Sequence, residues 1–169
     1  GLSGPKSMFI HADRPLISEN GTSTLLHELV HLAQGYSADP GGDWIVEGVA
    51  EYYSIEIMRR TGTLTEKRAG RALAAVSRWG DEAGRLQTDR SRGAVTARAV
   101  GLLAAVDEEM RRRSGGEASL DDVVRALSEH HERVSVDTLR REAERILGGP
   151  LESLESLEAS PPPEPAAPP

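Results

Sequence analysis

The chain has 169 residues, a net charge of −7 and no cysteine. That length suits one domain with a sizeable buried core. The acidic balance argues against a general nucleic-acid binder, which needs a basic face, and the missing thiols exclude disulfides and Cys-ligated metal while leaving the redox compartment open.

In chain order, "MFIHA" at 8–12 is a candidate short strand bounded by "DRP", and "SENGTST" at 18–24 is turn and capping chemistry. A helix is predicted from Thr24 to Gln34, with Leu25, Leu26, Leu29, Val30 and Leu32 forming a broad apolar surface and Gly35 as its stop. The loop "GYSADPGGD" leads to a second helix from Trp44 to about Arg60, capped by Asp43 and ended by Gly62. A loop this short between two helices suits a hairpin that lays them side by side. "TLTE" at Thr63–Glu66 reads as a capping box opening a third helix to about Trp79. An irregular polar stretch, "GDEAGRLQTDRSRG", precedes a long helix over roughly 95–113 that "SGG" stops. Ser119 caps "LDDVVRALSEHH", Ser135 caps "VDTLRREAERIL", "GGP" at 148–150 breaks the chain, and "LESLESLE" reads as a short acidic helix.

The expected fold class is therefore mainly α (α+β overall), with a small N-terminal β element. Residues 1–160 are expected to form the domain, and "PPPEPAAPP" at 161–169 an extended, solvated, disordered tail. Phe9 is the only Phe, so the core must come from Leu, Val, Ile and Ala. The run Arg111–Arg113 follows "DEE"; Glu108 and Glu109 can pair with Arg112 and Arg113 at i,i+4, which makes it a solvated helix face. No apolar run approaches the roughly 20 residues of a membrane span. The opening "GLSGPKSM" has no initiator Met, so a fragment or processed form is expected, in which a targeting segment would not be visible.

"HELVH" at 27–31 carries the chemistry. His27 and His31 stand four residues apart on one helix face, so their imidazoles can converge on one ion at about 2.0–2.1 Å each. Glu28 lies about 100° round the helix from His27. It can reach a metal-bound water without coordinating, which is the mechanical content of H-E-x-x-H. A catalytic zinc site needs a third protein ligand and an open position. The next helix offers Glu47 and Glu51 on one face. Glu47 is assigned as the ligand and Glu51 as the carboxylate that orients an imidazole N–H, the reverse being the alternative. Gly48 leaves room beside Glu47 for close approach. Zn2+ at such a site lowers the pKa of bound water to about 7, and Glu28 is the general base for amide hydrolysis.

"HELVH" followed by "WIVEGVAEYYS" resembles the H-E-x-x-H and W-x-x-E-G-x-x-x-Y-Y segments of gluzincins, the thermolysin-like zinc metallopeptidases with two His and a Glu as ligands. The resemblance implies a gluzincin-like helical metallopeptidase catalytic domain with Glu47 as third ligand. "LLAAVDEEMRRRSGGEASLDDVVRAL", Leu102–Leu127, is similar to a segment of the glycyl-aminopeptidase family, many of whose members carry a PDZ domain. That similarity implies an aminopeptidase acting on a peptide or protein substrate, and points to a bacterial periplasmic or secreted setting. Family members place a Tyr, then Lys or Arg and Gly, at the start of that helix, where the Tyr stabilises the oxyanion. Here the stretch reads "AVTARAVG", Ala94–Gly101, with Thr96 near the Tyr position and Arg98 near the Lys. Losing one such donor typically costs a factor of about 10²–10³ in rate. The family's usual N-terminal β-rich region and PDZ domain are not in this sequence. The alternative function is a zinc-binding, peptidase-like module with weak or no catalysis, acting in binding or scaffolding.

Other polar and aromatic residues are weighed against the same site. His130 and His131 read as exposed residues at a helix end, and His11 could line the cleft only if its strand borders the site. One of Tyr52 and Tyr53 is expected to pack in the core with its hydroxyl satisfied, and Trp44 and Trp79 to be core anchors. The Arg-rich stretch near 85–98 is the candidate mobile wall of the cleft, with Arg90, Arg92 or Arg98 able to hold a substrate carboxylate or an oxyanion.

Overall fold

The computed structural model of the chain describes residues 2–4, 7–11, 13, 15–88, 90–155 and 157. The tail expected at 161–169 lies outside the described residues. The fold is mainly helical. Its elements are β1 (Leu2–Gly4), β2 (Ser7–Phe9), α1 (Thr24–Gln34), β3 (Ser37–Ala38), α2 (Asp43–Arg60), α3 (Glu66–Gly80), α4 (Ala94–Ser114), α5 (Leu120–His130), β4 (Arg133–Val134), α6 (Val136–Leu147) and α7 (Glu152–Glu155). β1 and β2 form an antiparallel hairpin, so the N-terminal β element is present, but it ends at Phe9 rather than reaching residue 12. β3 pairs in parallel with β4, tying the loop after α1 to the α5–α6 connection.

α2 is the central element. It packs against α1, α3 and α4, while α5 pairs with α6 and α7 docks on α4. Trp44, Ile45, Ile55 and Met58 of α2 are fully buried, joined by Leu103 and Met110 of α4 and Leu120 and Leu127 of α5. Each such side chain contributes about 1.5–3 kcal/mol relative to leaving it in water. Two glycines permit the closest helix crossings. A Cβ on Gly48 would lie 2.6 Å from the Ala99 Cβ, and one on Gly80 would lie 2.5 Å from the Arg98 Cα. The close approach expected at Gly48 is therefore made to α4, not to α1.

Capping follows local chemistry with two corrections. Ser23 caps α1 by accepting the Leu26 N–H, and Ser135 caps α6 by accepting the Thr138 N–H. α3 is capped by Thr65, which accepts the Arg68 N–H; the box expected to begin at Thr63 is shifted because the chain stays in a turn through Leu64. Asp43 does not cap α2. It is the first helical residue, and its carboxylate accepts the Ser91 N–H across 2.6 Å.

Arg112 and Arg113 are exposed and Arg113 pairs with Glu109, as expected of a solvated basic run, but the acidic residues Asp107 and Glu109 before it face inward. Asp107 and Glu109 are buried because each carboxylate satisfies backbone N–H groups of another element. Asp107 accepts from the Tyr52 hydroxyl, the Leu120 N–H and Arg111. Glu109 accepts from Arg113 and from the N–H groups of Glu152 and Ser153, and so caps α7 from outside that helix. Burial pushes the Glu109 carboxyl up, but the hydrogen bonds from Ser153, Arg113 and Glu152 prevail and hold it down at about 2. The ordinary value is 4.5, so this stabilisation is fully present above pH 4.5 and is lost as pH falls towards 2. Glu109→Gln is expected to lower stability at pH 7 by about 1–3 kcal/mol. In urea unfolding, its deficit against wild type should shrink as pH falls below 4.5. A deficit independent of pH would mean that the charge is not what holds α7.

Candidate metal centre

α1 and α2 lie side by side, and the face of α1 turned towards α2 is its polar one. Glu28, Val30 and Gln34 are the buried residues of α1, whereas Leu29 and Leu32 stay exposed. The broad apolar surface expected for α1 is thus only partly covered, because the inward positions belong to His27, His31 and Gln34.

These positions meet Glu47 from α2. His27 Nε2 lies 3.0 Å from His31 Nε2 and 3.4 Å from Glu47 Oε2, and His31 Nε2 lies 3.6 Å from Glu47 Oε1. A tetrahedral ion with bonds of about 2.0–2.1 Å separates its ligand atoms by roughly 3.3–3.4 Å. The donor triangle is therefore close to the size that such an ion requires. Each of the three residues offers one ligand atom, and these atoms lie within 4.8 Å of one another.

Both imidazoles are aimed from behind. His27 Nδ1 is 2.9 Å from Glu51 Oε2, the orienting contact expected for Glu51. His31 Nδ1 is 3.2 Å from Gln34 Oε1. The Gln34 amide donates to the Val46 carbonyl across 3.1 Å, which leaves its oxygen to face the ring. An acceptor behind each Nδ1 puts the proton there and directs an Nε2 lone pair forward. Two such lone pairs 3.0 Å apart repel, so a proton or a metal ion must lie between them. Burial pulls the His27 pKa down, but the hydrogen bonds to Glu47 and Glu51 and their charges override it and raise it to about 9. Burial pushes Glu47 up, but the hydrogen bonds from His27 and His31 carry it to about 2. Without metal, this is a pocket that holds a proton against two carboxylates. The same side chains would hold a metal ion in place of that proton.

Gln34 was not singled out in the sequence, although it sits three residues after His31 on the same face. It is 2 % exposed. Gln34→Ala is expected to weaken zinc binding about 10–100-fold, read by competition with a chromogenic chelator. An unchanged affinity would show that His31 needs no orienter.

Glu28 lies beside His27 on α1 and is 6 % exposed. It is not among the residues that line the cleft in front of the triad. That cleft, about 630 Å³, is lined by His27, Glu47 and Glu51 on one side and by residues of α3, α4 and the segment before α4 on the other. Trp79 belongs to it and is 49 % exposed, so it is a cleft wall rather than the expected core anchor. Trp44 is the core anchor. Thr96, at the position where the family's Tyr is expected, lines the cleft and shares a 2.9 Å hydrogen bond with Ser91.

The other weighed residues stand elsewhere. The Tyr52 and Tyr53 hydroxyls donate to Asp107 and Asp121, and the Tyr36 hydroxyl is buried, so no tyrosine lines the cleft. His11 is exposed beside Asp13, and His130 is exposed. His131 is not exposed as expected; it contacts Glu142 at 3.2 Å because α6 packs over it. Arg98 donates to the Ala83 and Gly84 carbonyls, which removes it from the site. Of the three candidate arginines, Arg92 alone lines the cleft. The residues on either side of it make specific contacts. The Ser91 N–H is fixed on Asp43, and Gly93, with φ +56°, lies against the Trp79 indole.

No family model, curated protein or solved structure matches this chain. The geometry by itself assigns a His–His–Glu group able to hold a metal ion at the edge of an open cleft.

Proposed function

We propose that the chain is a zinc metallopeptidase of the gluzincin type, hydrolysing peptide bonds in a peptide or protein substrate. The observation that carries this reading is the donor triangle of His27, His31 and Glu47, with an acceptor behind each Nδ1. Two imidazoles and one carboxylate are a donor set that suits zinc. When bound, the ion supplies a Lewis acid that polarises a carbonyl oxygen. His27 and His31 bind through Nε2, Glu47 through its carboxylate, and Glu51 and Gln34 hold the two rings in place. Glu28 accepts a proton from the attacking water and returns it to the leaving amine nitrogen. Binding a substrate's N-terminal ammonium would need a further carboxylate. Among the described residues, the carboxylates lining the cleft are Glu47 and Glu51, both already engaged by imidazoles. We therefore propose a peptidase and leave the aminopeptidase assignment to the resemblance alone.

A second reading is a zinc-holding module with little turnover. Two observations favour it: no tyrosine reaches the cleft, and Glu28 is buried beside it rather than lining it. Cleavage of a peptide library by zinc-loaded protein separates the two. Turnover abolished by a chelator and restored by zinc supports the peptidase. No turnover with one zinc bound per chain sinks it and leaves the binding module.

A further inference from the structure

The cleft also carries a cation. Arg92 is exposed there and has no hydrogen bond or ion pair among the described residues. Its place is set from both flanks. Ser91 is fixed through its N–H to Asp43, which stands four residues before Glu47 on α2. That spacing is about 6 Å along the helix axis, so the Arg92 backbone starts close to the third metal ligand. Ser91 also bonds Thr96, and Gly93 packs over Trp79. Val76, Trp79 and Ala97 line the same cleft and give it apolar surface.

The charges in this cleft favour one sign of ligand. Among the described residues, Glu47 and Glu51 are its carboxylates, and both face imidazoles. A divalent ion would balance them, which leaves Arg92, among the described residues, as the cleft-lining side chain open to an anion. α4 begins at this wall with no side-chain cap and no acidic residue in its first turn, which adds to the same sign. A guanidinium fork is the group best shaped to take a carboxylate through two N–H donors.

We propose that Arg92 is a specificity residue that binds a carboxylate of the substrate peptide, with the adjoining chain lying along Trp79. The carboxylate is either an acidic side chain or the peptide's C-terminus, two sources of one chemistry. The inference deepens the peptidase reading and rests on it for the ligand being a peptide.

Calorimetric binding of three N-acetylated hexapeptides tests it without turnover. One carries a central Glu and an amidated C-terminus. The second carries Gln there and is amidated. The third carries Gln and has a free C-terminus. With zinc-loaded Glu28→Gln protein, the first or the third should bind about 10–100-fold tighter than the second. Whichever is preferred names the source. Arg92→Gln should erase the preference, Arg92→Lys should restore part of it, and added salt should reduce it. The preference should survive in metal-free protein, because Arg92 rather than the ion reads the carboxylate. Trp79 fluorescence should change on binding, Trp44 being wholly buried. Equal binding of all three peptides, no binding of any, or a preference unmoved by Arg92→Gln overturns the proposal. A carboxylate preference lost in Arg92→Gln, in a protein without chelator-sensitive turnover, would sink the peptidase reading and leave this one standing.

Discussion

Glu28→Gln is expected to lower zinc-dependent peptide turnover about 10²–10⁴-fold, the usual share of a positioned general base, while one zinc per chain remains bound. The substitution conserves volume at a buried position, so packing is little disturbed. It removes the one property that the proposed role needs, since an amide takes up no proton at neutral pH. His27, His31 and Glu47 are untouched, and so is the metal. Single-turnover cleavage, metal content and melting temperature should be measured on the same sample. Turnover equal to wild type would remove Glu28 from the mechanism. A fall in turnover accompanied by loss of zinc would make Glu28 a support for α1 instead. Its burial gives this test its weight, because a base must come within hydrogen-bond reach of the water that it serves.

His27→Ala is expected to abolish equimolar zinc. The change deletes one corner of the donor triangle and strips Glu51 of the imidazole that it orients. The remaining His31 and Glu47 are too few for a closed coordination sphere. In wild type, zinc at about a hundred times its Kd should stabilise the fold by about 2.7 kcal/mol, raising Tm by about 5–10 °C for a chain of this size. That shift should vanish in His27→Ala and persist in His130→Ala, which alters an exposed residue far from the triad. Zinc-replete wild type that binds no metal would falsify both the peptidase and the binding-module readings. Chelation should lower the Tm of wild type and leave that of His27→Ala unchanged, because only wild type has an ion to lose.

Much of the fold was legible because its signals are local. α1 runs from Thr24 to Gln34 as its caps and apolar spacing predict, and α2, α4, α5 and α6 begin within a residue of the predicted starts. Helix periodicity and capping depend on neighbours three or four residues away, which one sequence displays directly. The meeting of His27, His31 and Glu47 was legible for the same reason. His27 and His31 share a face through i,i+4 spacing, and a short loop leaves α2 little choice but to bring Glu47 across. The shift of the α3 cap to Thr65 shows the limit of that rule, since two threonines two residues apart both satisfy a capping pattern.

What the sequence alone determined, then, is a mainly helical chain with two histidines and two carboxylates on facing helix surfaces. The tertiary structure decided the rest. Asp43 fixes Ser91 rather than capping its own helix; Asp107 and Glu109 serve as buried caps for α5 and α7; Gly48 opens α2 to α4; Trp79 and Arg92 form the far wall of the cleft. Each of these pairs residues 13 or more positions apart. Their partners are set by how the helices pack, not by any spacing along the chain. A carboxylate carries no mark of whether it will meet water, a distant backbone N–H or a metal ion. Only the packing of the helices makes that choice, because it alone fixes which polar groups lose water and must find one another.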